Sequence, residues 1–377
     1  MSTIFLILGI NIPLLLIYWL VNSQWKNTVI VVGTILFLVY ISPLSLIVLL
    51  LSSTFIYFTL AKYNSNARTI VSLIISIAGI LLFFKINITQ QLFFNSNQLL
   101  PFGISYYSFR QIHYIFEFYK RKLPKHTFFD FISYLFFLPT LYIGPINRFP
   151  AFLKDNQRKR WDNQLFSYGL ERILYGLFKV AFLGNLLISL KLNSYSENYI
   201  ANFPWLYQYF QMVIFYFNAY FQFAGFSDIA IGLSATYGYR IIENFNYPFL
   251  AGNIADFWKR WHISLSEWCN DYVFQPTLSI TRNFIISILF SILVLAAWHE
   301  ISYKYILWGL SHVAALNIWH IYSSTKLHSR IEKNPIIQRP LGIFITIHFV
   351  MISFMLIKTD NLMDFWDFIQ TIFLIHK

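Results

Sequence analysis

The chain has 377 residues, of which 57% are hydrophobic, 20% are aromatic and only 12% are charged. A soluble domain carries about 25% charged residues, so this composition excludes an ordinary soluble protein and predicts an all-α polytopic membrane protein. The net charge of +12 comes from residues between apolar runs, where cations set membrane topology and meet anionic lipid headgroups. We therefore expect membrane lipid as a neighbour and no nucleic-acid partner.

Apolar runs recur along the whole sequence without a long polar interlude, which predicts one membrane-embedded domain over residues 1–377. We expect ten or eleven transmembrane helices, some tilted or re-entrant, because several runs are shorter than the roughly 20 residues that cross a bilayer comfortably. The first run has no cation before it, the reverse of a secretory signal, so we expect it to remain as a helix. The predicted spans are 4–21, 28–42, 44–61, 69–84, 99–119, 165–190, 203–222 continuing towards 238, 284–299, 303–321, 341–357 and 362–375.

Positive charge is concentrated in alternate predicted loops, and the positive-inside rule then places the first, third and fifth loops in the cytoplasm and the N-terminus outside. The apolar segment 128–146 is interrupted by Pro139 and Pro145 and lies between the basic loops 120–128 and 147–164. We predict that this segment enters from the cytoplasm and returns. Irregular backbone at membrane depth is tolerated only where protein or a water-filled cavity satisfies its polar groups, so a cavity is implied.

The stretch 244–271, NFNYPFLAGNIADFWKRWHISLSEWCND, is the longest that is aromatic, charged and polar at once, and it cannot sit in lipid unaided. Over the wider segment 239–283 we predict short helices at the cytoplasmic interface. Asp228 precedes this stretch within an apolar run, and a charge at the bilayer centre costs about 3 kcal/mol. Asp228 must therefore face protein or water, and a packing role and a direct functional role both remain open.

Histidine is the side chain best suited to accept and return a proton near neutral pH, and the sequence has nine. His262 lies in the central stretch. His299 follows an apolar run and precedes Glu300, so it is either a functional residue or a hydrogen-bonded core residue. If 299–312 were one helix, His299 and His312 would lie on nearly opposite faces, and the sequence has no HxxxH or HxxHH pairing for a di-iron site. We predict no metal centre.

Other familiar catalytic patterns are missing from the sequence. It has no G-x-S-x-G nucleophile elbow and no P-loop. The single cysteine, Cys269, excludes an internal disulfide and a cysteine-built metal site, and no fixed base marks it as a nucleophile. We expect no bound cofactor.

Four segments together resemble the membrane-bound O-acyltransferase family, in the bacterial branch that acylates cell-surface polymers. The central one is FAGFSDIAIGLSATYGYRIIENFNYPFLAGNIADFWKRWHISLSEWCNDYVFQP at 223–276. The others are LPFGISYYSFRQIHYIFEFY at 100–119, LPTLYIGPINRF at 138–149 and AAWHEISYKYILWGLSH at 296–312. The resemblance implies that residues 99–320 form the signature core of the fold, around a central channel, with N-terminal helices in 1–98 and C-terminal helices in 321–377.

The resemblance implies roles for particular residues. His299 matches the catalytic histidine of the family's Trp-His motif, and His262 matches the second histidine, in the FW-x-RWH-x-S motif. Glu300 stands where the family usually has glycine, and TLSITRN at 277–283 replaces a glycine-rich basic continuation. The residues that we assign to substrate binding or to the channel are Trp298, Trp261, Arg260, Asn246, Asp228 and His312.

The resemblance also implies the substrates and the location. It implies a thioester donor such as acetyl-CoA or an acyl carrier protein at the cytoplasmic face, and an acceptor hydroxyl of a surface polysaccharide or lipid-linked sugar reached from outside. A separate extracytoplasmic acyltransferase is an expected type of partner, and the bacterial cytoplasmic membrane is the expected location.

We hypothesise that His299 deprotonates the acceptor while His262 orients or polarises the donor carbonyl. D-alanyl-type transfer from a carrier protein is an alternative within this class. A transporter or flippase for a lipid-linked saccharide, with the polar central stretch as a gate, is the alternative from another class.

Overall fold

A computed structural model describes residues 2–63, 66–90, 101–326 and 335–375, and these ranges are mainly α-helical. Within them the β-structure consists of one isolated antiparallel bridge, between Phe245 and Trp261. The helices of the first half are α1 (Ser2–Leu20), α2 (Lys26–Ile41), α3 (Pro43–Tyr63), α4 (Ala67–Gln90), α5 (Ile104–Tyr119), α6 (Phe128–Leu135), α7 (Phe149–Arg158) and α8 (Asn163–Ile200, π-helical over most of its second half). Those of the second half are α9 (Pro204–Thr236), α10 (Ile254–Trp258), α11 (Ile263–Cys269), α12 (Gln275–Thr281), α13 (Phe284–His299), α14 (Tyr303–Ser323), α15 (Pro335–Lys358) and α16 (Leu362–Ile372).

The helices confirm the all-α polytopic membrane class. In the described ranges, five helical segments are long and apolar enough to cross a bilayer, and α1 and α13 are shorter apolar helices. Length and composition alone do not show which helices cross, so ten or eleven crossings and a central channel stay predictions. The five segments are Ser23–Ile41, Pro43–Tyr63, Ala67–Ile86, Asn163–Ile200 and Gln338–Lys358.

The segment 128–146, which we predicted to be interrupted, does not form one continuous helix. Helix α6 has only eight residues, begins with a capping box between Thr127 and Asp130, and is followed by a 3₁₀ turn at Leu138–Thr140. Eight residues of α-helix rise about 12 Å, too little to cross the roughly 30 Å hydrocarbon core. The polar stretch 239–283 likewise forms the short helices α10, α11 and α12, as predicted.

The chain packs as two compact units, each built from two separate segments. The first unit comprises Met1–Tyr175 and Ser227–Glu243, and the second comprises Gly176–Phe226 and Asn244–Lys377. The second unit therefore contains the central polar stretch together with α13, α14 and α15. His262, His299 and His312 all belong to it.

Within the second unit, α13 and α14 pack closely along their lengths. A Cβ atom added to Gly309 of α14 would lie 3.1 Å from the Cβ of Ala296 on α13, so a small residue at position 309 permits this approach. Asn283 caps α13 by accepting a hydrogen bond from the Ile286 N–H over 3.1 Å. The helix ends at His299, because Glu300 has extended backbone.

Candidate active site

A short pairing of two backbone segments fixes the position of His262. The N–H of Ile263 donates to the carbonyl of Asn244, and the N–H of Asn246 donates to the carbonyl of Arg260, each over 2.9 Å. Buried backbone groups need such partners, and this irregular stretch has no sheet to supply them. The pairing therefore anchors the residues on either side of His262.

The backbone of His262 has a left-handed conformation, with φ of 46°. This conformation costs a residue with a Cβ atom roughly 1–2 kcal/mol, and backbone strain of this kind clusters at functional sites. The residue is only 1% exposed. The surrounding hydrogen bonds thus hold His262 in a conformation that the chain would not adopt by itself.

Asn244 determines which ring nitrogen of His262 carries the proton. The Oδ1 atom of Asn244 accepts hydrogen bonds from the N–H of Ser264 over 3.2 Å and from the Ser264 hydroxyl over 2.9 Å. A backbone N–H can only donate, so the atom facing Ser264 must be the oxygen of the amide. The Nδ1 atom of His262 lies 3.0 Å from this same oxygen and must therefore be the protonated nitrogen. In the neutral ring, Nε2 then carries the lone pair.

Burial keeps the His262 ring neutral. Desolvation, together with the nearby charge of His299, lowers the pKa of His262 well below its ordinary value of 6.5. The buried Nε2 atom has no hydrogen-bond partner among the residues that the structure describes. A buried acceptor without a partner is costly.

Aromatic rings connect His262 to His299. The His262 ring lies with its centroid 4.7 Å from that of Phe223 and 5.6 Å from that of Trp298. Trp298 in turn contacts the His299 ring at 4.5 Å, and Tyr305 stacks on His299 at 5.5 Å with an angle of 14° between the planes. The two histidines therefore belong to one cluster, with Trp298 in contact with both.

The environment of His299 differs from that of His262. His299 is exposed, at the last position of α13, whereas His262 is buried. The C-terminal end of a helix carries partial negative charge, which stabilises a cation there. An accessible imidazole beside a buried neutral one can take up a proton and release it again.

Comparison with known proteins identifies the family of the whole chain. The model of the MBOAT, membrane-bound O-acyltransferase, family matches residues 10–357. The chain belongs to the membrane-bound O-acyltransferase family. This confirms the resemblance carried by the four sequence segments.

Relatives of this membrane-bound O-acyltransferase are named for acyl transfer to cell-envelope polymers. Probable alginate O-acetylase AlgI of Pseudomonas aeruginosa is 30% identical over 294 residues, which are 75% of this chain and 54% of that protein. Teichoic acid D-alanyltransferase of Bacillus subtilis is 33% identical over 280 residues, 67% of each protein. Peptidoglycan O-acetyltransferase of Helicobacter pylori is 27% identical over 302 residues, 70% of this chain and 55% of that protein. The chain spans about half the length of the alginate O-acetylases that it matches.

His312, the last of the three candidate site histidines of this family member, contacts the cluster through Trp308. It is fully buried, and its Nε2 atom lies 3.1 Å from the hydroxyl of Ser353. The Ser353 hydroxyl donates to the Val350 carbonyl over 2.8 Å, so Nε2 of His312 is the donor to Ser353. Trp308 lies between the two histidines, 4.8 Å from His312 and 5.8 Å from His299 by ring centroids.

Three other residues that we assigned to the site, Trp261, Arg260 and Asn246, lie in different environments. Trp261 is buried and stacks on Phe257 at 5.7 Å. The Nε atom of Arg260 donates to Asp256 over 2.8 Å. The side chain of Asn246 is exposed, and its carbonyl accepts from Nη1 of Arg260 over 3.3 Å. Trp261 therefore packs in the protein interior, whereas Arg260 and Asn246 are partly or largely accessible.

Asp228 belongs to the first unit, where it forms an ion pair with Arg172. Arg172 also holds Glu243 with two hydrogen bonds, of 2.6 Å from Nη1 and 2.8 Å from Nη2. Of the two interpretations left open for Asp228, these contacts favour the packing role.

Sequence reasoning missed Asn244 and Ser264, which set the tautomer of His262. A usable signal was present, because Asn244 opens the polar stretch 244–271. The stretch also contains Asn246, which we chose instead, and only the observed backbone pairing distinguishes the two asparagines. Among the described residues, no group of three or more His, Cys, Asp or Glu side chains is placed to hold a metal ion.

Proposed function

We propose that this membrane-bound O-acyltransferase moves an acyl group, with acetyl as the first to test, from a thioester donor to a hydroxyl of a surface polysaccharide or lipid-linked sugar. One observation carries the proposal: an exposed imidazole, His299, shares an aromatic cluster with a buried neutral imidazole whose Nε2 atom has no hydrogen-bond partner within the described ranges. Family membership favours this interpretation over the transporter or flippase alternative.

His299 is the general base in this mechanism. It removes the proton from the acceptor hydroxyl while the oxygen attacks the thioester carbonyl, forming the new C–O bond. The C–S bond then breaks, and the protonated His299 returns its proton to the leaving sulfur. The products are an ester and a free thiol, and no covalent enzyme intermediate is needed. One positioned general base contributes about 10²–10⁴-fold to such a reaction.

The tautomer of His262 revises the role that we assigned to it. A neutral His262 that donates through Nδ1 to Asn244 has a lone pair at Nε2, and a lone pair cannot stabilise the negative charge that develops on a carbonyl oxygen. Nε2 can accept a hydrogen bond from the acceptor hydroxyl or from a donor amide. The geometry therefore favours His262 as the residue that orients a substrate N–H or O–H group.

A second candidate within the same class is D-alanyl transfer to teichoic acid from a carrier protein. It is favoured by the match to teichoic acid D-alanyltransferase, which covers 67% of both proteins at 33% identity. The two candidates share the same site and differ in the donor and in the acyl group. For both we propose the bacterial cytoplasmic membrane as the location, and a separate extracytoplasmic acyltransferase as a candidate partner.

Mass analysis of envelope polymers tests the proposal and distinguishes the two acyl groups. Cells that express the wild-type protein should carry an acyl ester that mild base releases, and cells with His299→Ala, inserted at a normal level, should lack it. The matched control is His320→Ala, because His320 is exposed and stacks on Phe284 outside the cluster. Retained acylation in His299→Ala would remove His299 from the role of base.

A further inference from the structure

Glu300 lies directly after His299, at the end of α13. Its backbone is extended, and its N–H donates to the carbonyl of Ala296 over 3.1 Å. The side chain of His299 is exposed, and that of Glu300 is partly accessible. Because the family usually has glycine at this position, acyl transfer itself does not require the carboxylate. Its role must therefore be sought in what distinguishes this chain from its relatives.

Tyr305 borders both side chains. Its ring stacks on that of His299, with 5.5 Å between the centroids and 14° between the planes. The negative charge of Glu300 acts on the phenol group of the same tyrosine. Consecutive Cα atoms are only about 3.8 Å apart, so the carboxylate and the imidazole share one neighbourhood. A hydroxyl that approaches His299 therefore meets the negative charge of Glu300.

The protein does not neutralise this charge. Within the described parts of the chain, no cationic group lies within 4.0 Å of the Glu300 carboxylate. Lys304, four positions further on, donates instead to the carbonyl of Thr359 over 3.0 Å. Lys358 donates to the side-chain oxygen of Gln211 over 3.2 Å. The carboxylate beside the base is thus left to a cation from outside the chain.

The sign of the charge discriminates between classes of acceptor. A carboxylate at this position repels a polymer of uronic acids, because like charges placed side by side are unfavourable. It offers a neutral sugar no charge-assisted contact. It attracts a protonated amine, and a hydrogen bond between an ammonium and a carboxylate is roughly twice as strong as a neutral one. Of these three classes, the site favours the cationic one.

We propose that Glu300 selects an acceptor that carries a primary ammonium group beside the reacting hydroxyl, as an amino sugar without an N-acetyl group does. The ammonium donates to the carboxylate, and this contact brings the neighbouring hydroxyl to His299. Glu300 is a specificity-determining residue in this scheme and takes no part in the proton transfer. The assignment rests on the proposed function, because it takes His299 as the base.

A matched pair of acceptors tests the proposal. Polysaccharide is purified from the envelope of cells that lack the protein, and half of it is treated so that every free amine becomes N-acetylated while the hydroxyls stay free. Permeabilised membranes that contain the protein receive either acceptor, with cytosolic extract as the source of the acyl donor. Mass analysis of base-labile acyl esters on the polysaccharide gives the rate at each acceptor concentration.

The wild-type protein should show a KM at least about tenfold higher for the capped acceptor, with little change in kcat, because the contact stabilises the bound substrate and the transition state alike. Glu300→Gln and Glu300→Gly should treat both acceptors equally, and Glu300→Asp should keep the preference. The control is Asp364→Asn, which removes an exposed carboxylate of α16 and should behave as wild type. Added salt should reduce the wild-type preference, because accessible ionic contacts are screened.

Several outcomes would overturn the proposal. Equal KM values of the wild-type protein for both acceptors would show that no ammonium is recognised, and a preference that persists in Glu300→Gln would assign its recognition to another residue. Loss of transfer to both acceptors in folded Glu300→Gln and Glu300→Gly would place Glu300 in the reaction itself. If Glu300→Gln changed only the choice between aminoacyl and plain acyl groups, the ammonium would belong to the acyl group.

These outcomes are distinguishable from failure of the proposed function. All of them arise in a wild-type protein that still transfers an acyl group. His299→Ala should lose transfer to the free and the capped acceptor alike. Retained transfer in His299→Ala, or no transfer to either acceptor by the wild-type protein, would contradict the proposed function and this assignment with it.

Discussion

The Nδ1–H group of His262 donates a hydrogen bond to the side-chain oxygen of Asn244, 3.0 Å away. This bond leaves the lone pair on Nε2, the nitrogen on the other side of the ring. It also connects the strained backbone at position 262 to a residue 18 positions earlier in the chain. Asn244 is therefore a positioning residue, which acts on the reaction through the orientation and tautomer of His262.

Replacement of Asn244 by alanine should lower acyl transfer roughly 10–100-fold, by analogy with the loss that follows when the hydrogen-bond partner of a metal-bound histidine is removed. The ring would be free to rotate and to change tautomer, and the Ser264 N–H and hydroxyl would no longer donate to the Asn244 oxygen. The measurement is the rate of acyl release from the donor thioester in membranes containing equal amounts of each variant.

Asn244→Asp tests whether this role is positioning or only structural. The aspartate still accepts from Nδ1, but its negative charge favours the protonated imidazole and should raise the pKa of His262. Above this raised pKa the ring is again neutral and still held through Nδ1, so Asn244→Asp should be more active than Asn244→Ala at high pH. Its pH–rate profile should show an inflection that the wild-type profile lacks. Equal rates for both variants at every pH would contradict this role.

Stability should decrease as the pH falls below about 6.5, because His262 is buried in its neutral form. The folded-state pKa of His262 is depressed, so between that pKa and 6.5 the unfolded chain binds more protons than the folded chain, and stability rises with pH. The contribution is complete above about pH 6.5 and is lost towards acid at up to roughly 1.4 kcal/mol per pH unit.

The difference in thermal unfolding between the wild-type protein and His262→Gln, measured from pH 5 to 8 in one detergent, isolates this contribution. The pH dependence should become shallower in His262→Gln and stay unchanged in His320→Gln, a variant of an exposed histidine. Parallel curves for wild-type protein and His262→Gln would show that the ring is not held neutral.

The sequence predicted helices accurately where apolar runs end at polar residues. The prediction for 284–299 coincides with α13, and that for 303–321 differs from α14 by two residues at one end. These boundaries are local, because a cap such as Asn283 and an extended residue such as Glu300 lie within a few positions of the helix that they end. The position of His299 at a helix end follows directly.

Contacts between distant positions could not be predicted in the same way. The Asn244–His262 bond spans 18 residues, and the Arg172–Asp228 pair spans 56. Composition shows that a buried charge needs a partner but does not show which one. The family resemblance identified His262 and His299, and only the structure assigned the lone pair of His262 to Nε2.

Gly342→Ala should destabilise the protein by more than about 1 kcal/mol, although alanine is the better helix former. A Cβ atom at this position would overlap the carbonyl oxygen of Gly252, and neither backbone can move without disturbing α15 or the turn before α10. Gly79→Ala in α4 is the matched control, because within the described ranges nothing beyond the adjacent residues and backbone of its own helix lies within 4 Å of the added Cβ. Thermal unfolding in detergent measures both, and a similar melting temperature for the two variants would show that the Gly342 contact is not tight.

The contacts of Arg172 with Asp228 and Glu243 predict which substitutions in this group destabilise the protein most. Arg172→Met leaves two carboxylates without their cation and should be the most destabilising variant, by on the order of 3 kcal/mol. Asp228→Asn should cost less, because Glu243 still pairs with Arg172. Glu243→Gln should cost about 0–1 kcal/mol, since the Glu243 side chain is 48% exposed whereas that of Asp228 is 7% exposed.

A double variant separates pairing from packing. Removing both charges of the buried pair, in Arg172→Met/Asp228→Leu, should recover most of the loss seen in Arg172→Met, because no buried carboxylate then remains beside the lost guanidinium. The measurement is unfolding in detergent of the wild-type protein, Arg172→Met, Asp228→Leu and the double variant, which together form the double-mutant cycle. Asp228→Asn and Glu243→Gln are measured alongside. If the two single losses simply add, or if Glu243→Gln is as destabilising as Asp228→Asn, then charge compensation inside the first unit is not what holds Asp228.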